Sequence, residues 1–65
     1  MEIINCMPGY WRVNNGDQII GWIDLDAGGK YNARKARHDG HKGGISPLVG
    51  SYETLELAAA SLEAA

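Results

Sequence analysis

Five of the chain's six Lys and Arg residues and both of its histidines fall within residues 29–42, Gly-Lys-Tyr-Asn-Ala-Arg-Lys-Ala-Arg-His-Asp-Gly-His-Lys. Lys30, Arg34, Lys35, Arg37 and Lys42 face only one acid there, Asp39, which leaves the stretch at +4. The remainder sets Arg12 against seven acids, or −6, so a net charge of −2 conceals a strongly polarised chain. Clustered cations of this kind are the electrostatic footprint of contact with an anionic polymer, although the acidic overall balance pulls the other way. The bland alternative is that these cations balance the acids elsewhere and keep an edge strand soluble.

The remaining chemistry-bearing residues point away from catalysis. His38, Asp39 and His41 are legitimate metal ligands, yet neither a fourth ligand nor a cysteine cluster accompanies them, so they read as loop residues. Asp24 and Asp26 followed by Gly28-Gly29 open like a calcium loop, but its twelfth position is Lys35, where a bidentate Glu is needed. Gly28-Gly29-Lys30 lacks the long glycine spacing, and the Ser or Thr after the lysine, of a phosphate loop. Cys6 has no basic neighbour to lower its pKa and no nearby histidine to act as a base. The expectation is a non-enzymatic protein with no catalytic residue, metal or cofactor.

Sixty-five residues allow one domain with a core worth roughly 3–5 kcal/mol. An apolar fraction of 45% and a charged fraction of 22% belong to a globular rather than a disordered chain. A single cysteine cannot form an intramolecular disulfide, and a small unstapled domain points to a reducing, cytoplasmic compartment. Residues 1–7 carry no basic n-region of a signal peptide, and no apolar run nears the roughly 18 residues that span a bilayer. No membrane partner is expected, and a core this small suits a monomer or a weak homo-oligomer.

Residues 1–9 read as a lead-in closed by the turn dipeptide Pro8-Gly9, mobile or paired as a short edge, ahead of a single domain at residues 10–65. Residues 10–14 alternate and are rich in aromatic and β-branched types, which predicts a strand. Asn15-Gly16, tolerant of positive φ at both central positions of a tight turn, predicts a hairpin into a second strand at residues 18–25. Period-two alternation puts Ile19, Gly21, Ile23 and Leu25 on one face and Gln18, Ile20, Trp22 and Asp24 on the other. Gly21 leaves room for a second backbone or a helix to approach closely. A turn at residues 27–29 leads into a third strand reaching Arg37 or His38, a glycine-bounded loop runs to Pro47, and residues 48–52 supply a few extended residues.

Thr54 is placed to cap a helix whose first turn is flanked by Glu53 and Glu56. Residues 55–64 are nearly all strong helix formers, with Leu55, Ala58, Ala59 and Leu62 on one stripe. Three turns do not persist alone in water, so this helix must dock on the face bearing Trp11, Val13, Ile19, Ile23 and Leu25. The fold class is therefore α+β, an antiparallel sheet of three strands, or four with residues 48–52, covered on one face by a C-terminal helix. Tyr10, Arg12, Asn14, Gln18, Ile20, Trp22, Asn32, Arg34 and His38 are left on the open face. Trp22 and Tyr10 there either stack on a ligand or close a small second core under the N-terminal segment.

Two hairpin turns, the Gly-Lys-aromatic strand GKYNARKARHDG and the segment LVGSYETLELAAASLEAA resemble the three-stranded-sheet-plus-helix module of plant AP2-type factors and the arm-type DNA-binding domain of phage and transposon integrases. Gly50, Tyr52 and Thr54 stand, with a one-residue offset, where that family has a Gly-aromatic-x-Thr step into its helix. The likeness covers residues 10–65 and implies a sheet that enters the major groove of DNA with Arg and Trp on base edges and phosphates. On this reading the chain is a nucleic-acid-binding module of mobile-element or phage type. Arg12, Trp22, Asn32 and Arg34 reach bases or stack, while Lys30, Lys35, Arg37 and Lys42 hold phosphates. The alternative is a small regulator or inhibitor that shows the same face to an acidic protein partner.

Overall fold

Short alternating runs cut by glycine turns give strands that cannot persist singly, and hydrogen bonding to neighbours in sequence order is the shortest way to pair them. The computed structural model describes residues 1–36 and 48–64. It contains β1 (Glu2–Met7), β2 (Tyr10–Asn15), β3 (Gln18–Leu25), β4 (Tyr31–Lys35), β5 (Leu48–Tyr52) and α1 (Leu55–Ala64). The strands form one antiparallel meander in the order β1-β2-β3-β4-β5. The architecture is α+β with five strands rather than three or four. Of the two expectations for the lead-in, the paired edge holds: it is the edge strand β1, six residues long, paired Ile3 to Val13 and Ile4 to Arg12.

The β2–β3 hairpin differs in detail from the expected turn. Asn15 pairs with Gln18, so the two-residue loop is Gly16-Asp17, with φ of 65° at Gly16 and no positive φ at Asp17. Glycine at the first central position alone is the type II′ requirement, not the type I′ arrangement centred on Asn15-Gly16. The register then shifts, since Val13 pairs with Gly21 while Asn14 pairs with Ile19. Ile20 is the extra residue of a β-bulge, and it reverses the expected alternation at the start of β3. Ile20 packs against the core, and Gln18 and Ile20 line a cavity with Leu62 of the helix. Ile19 pairs on the face that carries Asn14.

Helix α1 begins where Thr54 caps it. The Leu57 N–H donates to Thr54 Oγ1 at 3.1 Å, and the Ala58 N–H donates to the Thr54 carbonyl at 3.2 Å. Its stripe buries Ala58, Ala59 and Leu62 against Val13, Ile23 and Ala33 of the three central strands, with Leu55 partly covered. Trp11, Tyr31 and Tyr52 wall this core, the Trp11 and Tyr31 rings meeting at 5.5 Å and 50°. Among the described residues only Val13 and Ile23 are large side chains that are wholly buried, so the core is thin and depends on close approach. That approach is set at Gly21, where a Cβ would collide with the Arg34 carbonyl oxygen and with both Leu62 methyl groups.

Replacing Gly21 by Ala should therefore destabilise. Reduced chain entropy would favour alanine by about 0.5–1 kcal/mol, but overpacking against a backbone atom costs about 1–3 kcal/mol. Urea denaturation should show a lowered midpoint for Gly21→Ala, and a raised midpoint would refute this packing. Thr54→Ala should lose about 1 kcal/mol in the same measurement, as removal of an N-cap does.

Candidate binding face

With α1 on one side of the sheet, the pairing register decides which side chains share the other. Arg12 pairs with Trp22 and Trp22 with Arg34, so these three form one cross-strand row on the helix-free face. Ile4 of β1 extends the row at one end and Leu48 of β5 at the other. The next row carries Met7, Tyr10, Asp24, Asn32 and Ser51. Ile4, Arg12, Trp22 and Arg34 are half-buried, whereas Met7 and Leu48 are exposed.

The polar groups of the second row hold one another. Arg34 Nε donates to Asp24 Oδ1 at 3.3 Å, with the two side chains 40% and 35% exposed. Asn32 Nδ2 donates to Asp24 Oδ2 at 3.1 Å and to Asp26 Oδ2 at 3.4 Å, and the Ser51 hydroxyl donates to Asn32 Oδ1. Arg34 and Asn32 are thus partly engaged before any ligand arrives. Arg12 differs. Among the described residues it has neither an ion pair nor a hydrogen bond, and its Nε, like Asn14 Oδ1, is buried without a partner.

The other expected binding residues do not converge on this row. Lys30 stands at the β3–β4 turn and pairs with Glu53 Oε1 at 3.0 Å, both side chains being open to solvent. Lys35 pairs with Gly21 and so lies on the helix side, beside Glu63 at a cavity of about 140 Å³ floored by Ile20, Ala36 and Leu62. Arg37 and Lys42, like His38 and His41, lie outside the described residues. Sequence reasoning missed Ile4, Leu48 and Ser51, because it gave residues 1–9 and 48–52 at most as a short edge and a fourth strand, with no register to assign their faces. Asp24 was placed on the open face, but its role as the partner of Arg34 follows only from the β3–β4 register.

Asp26 does local structural work rather than opening an ion loop. Its Oδ1 accepts from the Gly28 N–H at 2.8 Å and the Lys30 N–H at 3.0 Å, and its carbonyl accepts from the Gly29 N–H at 3.1 Å. Gly29 takes a φ of 84°, which suits glycine at that point of the turn. The backbone hydrogen bond from Lys30 is the largest cause holding the Asp26 carboxyl below its ordinary 3.8, helped by the Gly28 N–H, Asn32 and the Lys30 charge against partial desolvation. Among the described residues no three His, Cys, Asp or Glu side chains gather as metal ligands. Cys6 is exposed at the β1 bulge, its thiol 3.7 Å from the Ile4 carbonyl.

A lowered folded-state value means that Asp26 favours the fold above pH 3.8 and that this contribution disappears as pH falls through the folded value. Carboxyl NMR should find Asp26 titrating below 3.8, and Asp26→Ala should speed amide exchange at Lys30; an ordinary titration would contradict the turn geometry. No protein-family model, no curated protein and no solved structure matches the chain.

Proposed function

We propose that the chain is a non-enzymatic binding module that shows the helix-free face of its sheet to a protein partner. The observation that carries this reading is the row Ile4, Arg12, Trp22, Arg34 and Leu48, in which an Arg-Trp-Arg centre is flanked by aliphatic ends. Trp and Arg dominate the hot spots of protein interfaces, where they are surrounded by contacts that exclude water. Among the described residues of this face, Asp24 and Asp26 offset the arginines, with Asp24 on Arg34 and Asp26 close by through Asn32, which suits a mixed protein surface better than a row of phosphates.

A second reading, a duplex DNA module of phage or mobile-element type, is supported by Arg12, Asn32 and Arg34 standing in adjacent rows of one exposed sheet face. The resemblance to AP2-type and integrase arm-type domains supports the same reading. In it the sheet would enter the major groove, with Arg and Trp meeting base edges.

One pair of experiments separates the two. Affinity capture with wild-type and Trp22→Ala baits, followed by reconstitution with the purified partner, should show binding weakened roughly 30-fold or more by the substitution, as for a hot spot of about 2 kcal/mol. Duplex DNA titrated at low and moderate salt should show no steep salt-dependent binding. Tight binding that falls steeply with salt would transfer the function to the second reading. Capture unaffected by Trp22→Ala would remove the open face from it.

A further inference from the structure

The donors of the open face are unevenly used. Asp24 engages Arg34 and Glu53 engages Lys30, while Arg12 has no acceptor among the described residues and sits in its row between Ile4 and Trp22, which offer none. The Trp22 indole N–H likewise has no acceptor among them. Covering an unpaired guanidinium with apolar surface is costly, because the charge loses its water and receives nothing in exchange. Any partner that seals Trp22 must therefore bring an acceptor to Arg12.

Three occupants could in principle supply contact. A second copy centred on Trp22 fails on symmetry. Arginines flank Trp22 on both sides of the row, so a two-fold, face-to-face pairing about an axis along or across the row sets Arg12 against Arg12 or Arg34 of the other copy. A polyanion offers charge continuously along its length, whereas among the described residues this face has one uncommitted cation, with Asp24 in the neighbouring row. A protein segment with a carboxylate at one end of its contact and an apolar side chain beside it matches the pattern. The carboxylate meets Arg12 on the side away from Arg34 and its Asp24, and the apolar side chain meets Trp22.

We infer that the partner engages this face through an acidic, apolar-flanked segment, whose carboxylate pairs with the Arg12 guanidinium and whose neighbouring side chain packs on the Trp22 ring. The inference rests on the protein-partner reading above and specifies the chemistry of that partner. A planar guanidinium binds a carboxylate through two parallel hydrogen bonds, a geometry an ammonium cannot reproduce.

The test titrates the ¹⁵N-labelled full chain with a short peptide of alternating Glu and Leu, its Gln-for-Glu counterpart and a duplex oligonucleotide, following the Trp22 indole and Arg12 Nε resonances. The Glu peptide should shift both resonances, the Gln counterpart should bind roughly tenfold more weakly, and Arg12→Gln should abolish the difference while keeping a folded spectrum. Arg12→Lys should restore only part of it. Equal binding of the two peptides, an undiminished preference in Arg12→Gln, or silence with both peptides would overturn the inference. A duplex that shifts Trp22 where both peptides fail also overturns it, yet leaves the open face standing as a binding surface. Failure of that surface itself is read separately, from capture by the Trp22→Ala bait.

Discussion

The contact of Leu62 with the bare backbone at Gly21 is the constraint on which the rest of the molecule depends. A helix of ten residues has too few internal hydrogen bonds to outlast its nucleation cost, and a small antiparallel sheet whose apolar face is uncovered is marginal. Each supplies the apolar surface that the other lacks. Because the helix contributes Ala58 and Ala59 rather than larger residues, the two layers must approach closely for Val13, Ile23 and Ala33 to be sealed. Gly21 makes that approach sterically possible. One short helix, seated there, covers one side of the sheet.

Irregularities in the ladders tune what each face presents. Register shifts between β1 and β2, between β2 and β3 and between β4 and β5 leave Cys6, Ile20 and Val49 as the extra residues. Each bulge increases local twist, and those in β1 and β5 lie on edge strands, where twisting discourages pairing with another sheet. The bulge at Ile20 acts instead on the core. It turns Ile20 toward the helix next to Gly21, so that apolar surface fills the space beside the glycine, while Trp22 keeps its place on the opposite side.

Folding pairs two cations of the basic stretch with acids from outside it. Asp24 reaches Arg34 across a strand pair, and Glu53 reaches Lys30 from the start of the helix region. These exposed or half-exposed pairs add little stability, on the order of 0–1 kcal/mol each. Their larger consequence is on recognition. They leave Arg12, the one cation outside the basic stretch, as the cation of the open face without a partner among the described residues.

Several elements were legible in the chain because local chemistry alone specifies them. Thr54 ahead of a run of helix formers sets where α1 begins, the spacing of Leu55, Ala58, Ala59 and Leu62 sets the stripe it buries, and alternation places Trp11, Val13 and Ile23 under it. Alternation likewise assigned Arg12, Trp22 and Arg34 to one side. What the chain could not disclose is register, since a bulge changes the face of a side chain without changing any local propensity. β1 and β5 were legible only as alternatives, a short edge and a fourth strand, because an edge strand owes its structure to its neighbour's hydrogen bonds rather than to its own composition. Composition and periodicity thus determined which residues could form a sheet, a helix and an Arg-Trp row. Only the tertiary structure decided which cations those neighbours consume, because an ion pair depends on distances across strands that sequence separation does not encode.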